Sequence, residues 1–236
     1  EIILTQENSE TNPETSIRAA GKLINVNKVM AILGTWSSSV TLGIMPKYQE
    51  ANVIQMCTSS SSDIPVRDKK NLVFNFQALS PVWGRALGNL AKAQGFKSYG
   101  LMALNNDFTK SMLEGFNEVV GIKSNVIEPF FYNGGQSSYR SEVEKLIDKN
   151  PDAVFIPSYV TDFTIVYKDI FRSGYEGQVI TVSISTGSKF KKAVGKDEGL
   201  IVVNRINANF GKHSFNANVF VYDSVEAKEK VETVPQ

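Results

Sequence analysis

Short apolar runs alternate with amphipathic helical stretches along the whole of this chain, and that alternation restricts the fold more than any other feature. Strands joined through helices pair in parallel, and helices then cover both faces of the sheet. Runs at 1–5, 29–33, 53–57, 72–76, 99–104, 125–131, 153–157, 178–182 and 199–204 predict strands. Between them, Asn12 followed by Pro13 marks a helix start, and Ile17, Ala20, Leu23 and Ile24 recur at helical spacing. Further helices are predicted over 38–50, from Pro81 to Gly95, and over 108–120, 138–149, 162–173 and 189–194. Pro46 is expected to kink or end the second of these helices. The pattern restarts after Ser80, which implies two lobes in an α/β fold.

The stretch from Val29 to Thr41 shows what such a unit offers a ligand. Its five mostly apolar residues, 29–33, read as a strand buried on both faces, and Gly34 then allows a sharp turn. Thr35, Ser37, Ser38 and Ser39 follow, immediately ahead of a helix. Hydroxyls and unpaired N–H groups at a helix's positive pole suit a carboxylate or phosphate, although an ordinary serine N-cap has the same sequence. A second copy favours the ligand reading: the strand at 53–57 ends in Thr58, four serines and Asp63.

Several chemistries have no support. Lys and Arg number 25 against 24 Asp and Glu, a net charge of +1, so no basic surface points to nucleic acid or an anionic membrane. One His and one Cys do not make a zinc site, and no cofactor is expected. Cys57 lies in an apolar setting that suits a buried small side chain, and His213 lies in a polar stretch that suits a surface loop. Gly195-Lys196 is followed by Asp197, unlike a phosphate loop, and no G-x-G-x-x-G or G-x-S-x-G occurs. Open parallel sheets bind ligands at the carboxyl ends of their strands, so binding is expected before catalysis.

The run from Asn12 to Ile24, that from Lys28 to Thr41, and Ile44-Met-Pro46 resemble the periplasmic binding proteins for leucine, isoleucine and valine, receptors of branched-chain amino-acid ABC transporters. Asn106-Asp-Phe108, Gly115-Phe116, the run from Pro151 to Phe155, Arg172-Ser-Gly174, Glu198-Gly199 and Tyr222-Asp223 extend the likeness in the family's order. The resemblance implies the type I binding-protein fold: two doubly wound parallel-sheet lobes joined by a three-stranded hinge and closing on ligand. It places 1–79 with 206–236 in the N-terminal lobe and 80–205 in the C-terminal lobe. It also implies that the first strand and the C-terminal end of the fold lie outside this chain.

Carried over by position, the resemblance gives Ser38 the ligand carboxylate, with Ser39 beside it. Ser59 and Ser61 fall in the second loop, where the family meets both ends of the ligand with a backbone carbonyl and a hydroxyl. Phe108 stands where the family often has a tyrosine, Tyr159 matches an aromatic after the 153–157 strand, and Trp36 is placed to wall an apolar side chain. One departure affects the ligand. Residues 183–188 contain no acid, whereas amino-acid binders of the family place one there for the ammonium; Asp107 and Asp162 are the alternatives.

The resulting expectation is a non-enzymatic, extracytoplasmic receptor that takes a small amino acid, or a related acid or amide, to a membrane permease. The same fold also serves as a sensor domain of a receptor or regulator. A doubly wound enzyme ranks last, because no nucleophile or acid/base pair is evident.

Overall fold

Two sheets, parallel except for one strand, hold the strands of the described residues. The computed structural model describes residues 2–182, 185, 190 and 192–193, and the backbone of 200–208 and 215–221. The chain divides into two units, Glu1–Val82 with Asn106–Ser111 and Trp83–Asn105 with Met112–Gln236.

The first unit runs α1 (Pro13–Asn25), β1 (Ala31–Leu33), α2 (Ser38–Ala51), β2 (Ile54–Cys57), α3 (Asp63–Arg67) and β3 (Val73–Asn75). Asn12 caps α1 as its sequence predicts, its Oδ1 accepting from Thr15 N at 3.1 Å. The strands pair in parallel in the order β1-β2-β3. Helix α2 is apolar on two sides. Val40, Ile44 and Tyr48 pack with Ala20 of α1 and with Ile32 and Val53, while Leu42 and Met45 pack with Ile64 and Val73. This double burial carries α2 through Pro46, which sits on its exposed side, to Ala51.

Two expectations fail here. Only Ile32 of β1 is buried; Leu33 is 74% exposed, so the strand is not covered on both faces. The reason is that little among the described residues covers this face of the sheet: Phe74, in the same row two strands away, is also 50% exposed. Across the sheet Leu33, Met56 and Phe74 stand in one register row on the open face, and Ile32, Gln55 and Val73 form the covered row beside it. The predicted first strand is also absent. Ile2, Ile3 and Leu4 are 97%, 85% and 82% exposed and pair with no strand among the described residues.

The division between the units falls within α4 (Ser80–Ala93) and within α5 (Asp107–Val120). The second unit continues with β4 (Tyr99–Leu104), β5 (Phe130–Tyr132), α6 (Arg140–Ile147), β6 (Ala153–Phe155), α7 (Val160–Arg172), β7 (Gln178–Val182), β8 (Leu200–Ala208) and β9 (Phe215–Val221). Its sheet order is β5-β4-β6-β7-β8-β9. All six residues of β4 are buried, the two-sided burial expected of a central parallel strand. Phe116 of α5 stacks on Phe155 at 4.2 Å and meets Tyr99 edge-on at 5.6 Å. Helix α4 presses on α5 at Gly84, where a Cβ would lie 2.0 Å from the Met112 carbonyl oxygen.

Buried Asp169 of α7 holds the start of α6, accepting from Tyr139 N at 2.7 Å and Ser138 Oγ at 3.0 Å. Strand β9 lies antiparallel to β8, so 215–221 joins the second unit's sheet. Pairing with a neighbour in sequence costs less chain entropy than closing a long loop. The expected helix at 189–194 falls largely outside the described residues, and so do His213, Gly195-Lys196 and most of 183–188.

Candidate functional site

The carboxyl ends of β1 and β2 carry the two serine loops, and the structure brings them together through Ser38. Gly34 leaves β1 at φ +128, a conformation L side chains rarely adopt, and turns the chain toward α2. Ser37 is the N-cap residue of α2, but no side chain caps that helix. The first turn of α2 therefore keeps its positive pole and its donors. Ser38, 1% exposed, accepts from Ser60 N at 3.2 Å and Ser61 N at 3.1 Å. Its own hydroxyl proton meets no acceptor among the described residues.

Ser59 is spent differently. Its Oγ lies in short contact with Thr41 Oγ1 and donates to the Thr35 carbonyl at 2.9 Å, so it braces the β1 turn against α2. Ser61 Oγ accepts from Asp63 N at 3.2 Å, beside the start of α3. Beneath it, burial pushes the Cys57 thiol upward, and hydrogen bonds from Ser59 only partly offset this.

Three carbonyls of this second loop accept from side chains that lie further along the chain. Thr58 O accepts from Gln77 Nε2, and Ser59 O accepts from Asn75 Nδ2. Ser60 O accepts from both Ser80 N at 2.5 Å and Ser80 Oγ at 2.8 Å. Ser80 Oγ in turn lies 2.5 Å from Ser111 Oγ on α5. The sequence marked Ser80 only as a helix cap, and it gave no sign of the roles of Gln77 and Asn75. Their one local signal is that polar residues end an otherwise apolar strand.

Ser39 reaches the other way, donating to Asp107 Oδ2 at 2.7 Å. Asp107 opens α5, where Asn106 Oδ1 accepts from Thr109 N at 3.0 Å, and Phe108 follows it. Asp107 and Phe108 are both half-buried, and Trp36, two residues ahead of Ser38, is 48% exposed. Six of the seven candidate residues (Trp36, Ser38, Ser39, Ser59, Ser61 and Phe108) thus belong to the first unit.

Tyr159 belongs to the second unit, where it opens α7, again with no side-chain cap. Around it Ser158 Oγ accepts from Tyr132 OH at 2.6 Å, and Ser185 Oγ donates to the Ser158 carbonyl at 2.6 Å. Burial pushes the Tyr139 phenol up to about 12, and its hydrogen bond to Asp162 adds to the shift. It donates to Asp162 Oδ1 at 2.5 Å, and Gly135 N donates to the same oxygen at 2.7 Å. One oxygen of Asp162, in the first turn of α7, is therefore held by the 135–139 loop. No three His, Cys, Asp or Glu residues stand close enough to hold a metal among the described residues.

The periplasmic binding protein family profile matches residues 1–214. No curated protein matches the chain. Among solved structures, an extracellular ligand-binding receptor from Rhodopseudomonas palustris HaA2 superposes with a TM-score of 0.77 at 22% identity, covering 84% of this chain and 56% of that one. The leucine-binding protein LivK from Thermotoga maritima MSB8 superposes at 0.75 and 21% identity, over 86% of this chain and 58% of its own. An ABC-transporter solute-binding protein from R. palustris, in complex with 4-hydroxybenzoate, superposes at 0.70 and 13% identity, over 85% and 56%. The likenesses establish a common fold, and the chain spans a little over half the length of these relatives.

Proposed function

The chain belongs to the periplasmic binding protein family, and on that premise we propose that it acts outside the cytoplasm as a solute receptor. Its ligand is a small amino acid of the branched-chain kind, delivered to an ABC permease. One observation carries the reading. The buried Ser38 hydroxyl joins the two serine loops while its own proton meets no acceptor among the described residues, beside a helix N-terminus that no side chain caps. A buried donor without an acceptor is costly, and a ligand carboxylate at the positive pole of α2 supplies the acceptor. Trp36 and Phe108 offer apolar surface for the rest of such a ligand. Binding is the whole activity on this reading, with no covalent step.

A second reading is a carboxylate without an amine. It is favoured by the engagement of the second loop's carbonyls, of which Ser60 O already accepts two hydrogen bonds and Thr58 O and Ser59 O one each, which leaves fewer acceptors for an ammonium. A thermal-shift titration separates the two. A ligand that binds only the folded state stabilises it by about 2.7 kcal/mol at 100 times its Kd. Leucine, isoleucine or valine is expected to raise the melting temperature. A shift with 4-hydroxybenzoate or aliphatic carboxylates alone selects the second reading, and no shift with any of them refutes both.

A further inference from the structure

We infer that Ser80 is a positioning residue for the ligand: it holds the second serine loop so that the Ser38 hydroxyl proton is kept for a carboxylate. The role rests on the receptor reading above. Ser80 itself is 0% exposed, so no ligand touches it, and it acts through the loop. The peptide group between Ser60 and Ser61 is held at both edges. Its N–H, that of Ser61, donates to Ser38 Oγ at 3.1 Å. Its carbonyl, that of Ser60, accepts from Ser80 N at 2.5 Å and Ser80 Oγ at 2.8 Å. A trans peptide points these two groups to opposite sides, so fixing the carbonyl on Ser80 fixes the N–H on Ser38.

The protons of this set run one way. Ser80 spends its single hydroxyl proton on the Ser60 carbonyl, so the 2.5 Å contact between Ser80 Oγ and Ser111 Oγ is donated by Ser111. Ser38 Oγ accepts from Ser60 N as well as from Ser61 N, which fills both of its lone pairs. Donors therefore lead from Ser111 through Ser80 and the peptide group to Ser38, all within the first unit, and each bond polarises the next. The last proton, on Ser38, points away from the loop, and its partner has to be an acceptor, as a carboxylate is. Without the Ser80 hydroxyl the carbonyl keeps only one of its two donors, and the N–H on Ser38 is held less firmly.

Two readouts on the full chain test this: amide hydrogen exchange at Ser61 in the free protein, and calorimetric titration with leucine and with 4-hydroxybenzoate, both carboxylates. Ser80→Ala is expected to speed exchange at Ser61 while the core strands keep their protection. It is also expected to weaken whichever of the two the native chain binds by about threefold to tenfold, the loss of one hydrogen bond. Ser111→Ala is expected to act in the same direction by less, because the Ser111 proton can also turn to the Asp107 carbonyl at 3.0 Å; it carries the test if Ser80→Ala does not fold. Native affinity in a folded Ser80→Ala protein overturns the positioning role and leaves the receptor reading standing. Weaker binding with protection lost throughout the chain overturns it as well, since the hydroxyl then only supports the fold. A native chain that binds neither compound overturns the receptor reading and this role with it.

Discussion

Replacing Gln55 with methionine is expected to stabilise the first unit. Gln55 sits in the middle strand of the three-stranded sheet, in the covered row between Ile32 and Val73, and is 0% exposed. Neither its Oε1 nor its Nε2 has a hydrogen-bond partner among the described residues. A buried polar group without a partner costs about 1–3 kcal/mol, and an apolar replacement of similar shape removes that cost. Methionine has a similar length and no branch, so repacking costs little. The expected gain is about 2 kcal/mol, which for a chain of this size moves the melting temperature by about 4–8 °C. Urea denaturation checks it through a higher midpoint at unchanged slope. A Gln55→Met protein with an equal or lower midpoint refutes the reasoning, because it means the amide is satisfied in the folded state.

Two further outcomes follow from close contacts in the second unit. Gly84→Ala is expected to cost about 1–3 kcal/mol by overpacking, since its Cβ meets the Met112 backbone oxygen at 2.0 Å and α4 must move off α5; urea midpoints read the loss. Asp152 accepts from Lys97 N at 2.8 Å and Ser98 N at 3.0 Å, and these bonds hold its carboxyl below the usual range. Its stabilising effect is therefore complete above the ordinary carboxylate pKa and is lost as pH falls through the lower folded value. Asp152→Asn is expected to flatten the acid side of a stability–pH profile, and an unaltered profile rejects this.

Local chemistry explains why some elements were legible and others were not. Asn12-Pro13 announces α1 because a cap and a fixed φ act within one turn, and the serine loops announce themselves because hydroxyls cluster after apolar runs. The short helix α3 has no signal in the sequence, since Asp63–Arg67 includes Pro65 and shows no helical period. The apolar run at 29–33 predicts more burial than β1 has, because an apolar strand has the same sequence whether its sheet is covered on one face or two. The loop carbonyls are the clearest case. Gln77, Asn75 and Ser80 close on residues 16 to 20 positions earlier, and no spacing rule anticipates which side chain will reach a backbone oxygen at that range. The Ser39–Asp107 bond spans 68 positions and was equally hidden.

The open row of Leu33, Met56 and Phe74 affects how the protein behaves in the tube. An apolar row beside a strand edge with no partner among the described residues is the arrangement that recruits further strands from neighbouring molecules. Attraction of this kind grows with concentration while ligand binding to a single chain does not. Dilution is thus a physical control: a thermal or calorimetric signal that keeps its value as the protein is diluted reports the ligand, and one that fades reports contact between copies.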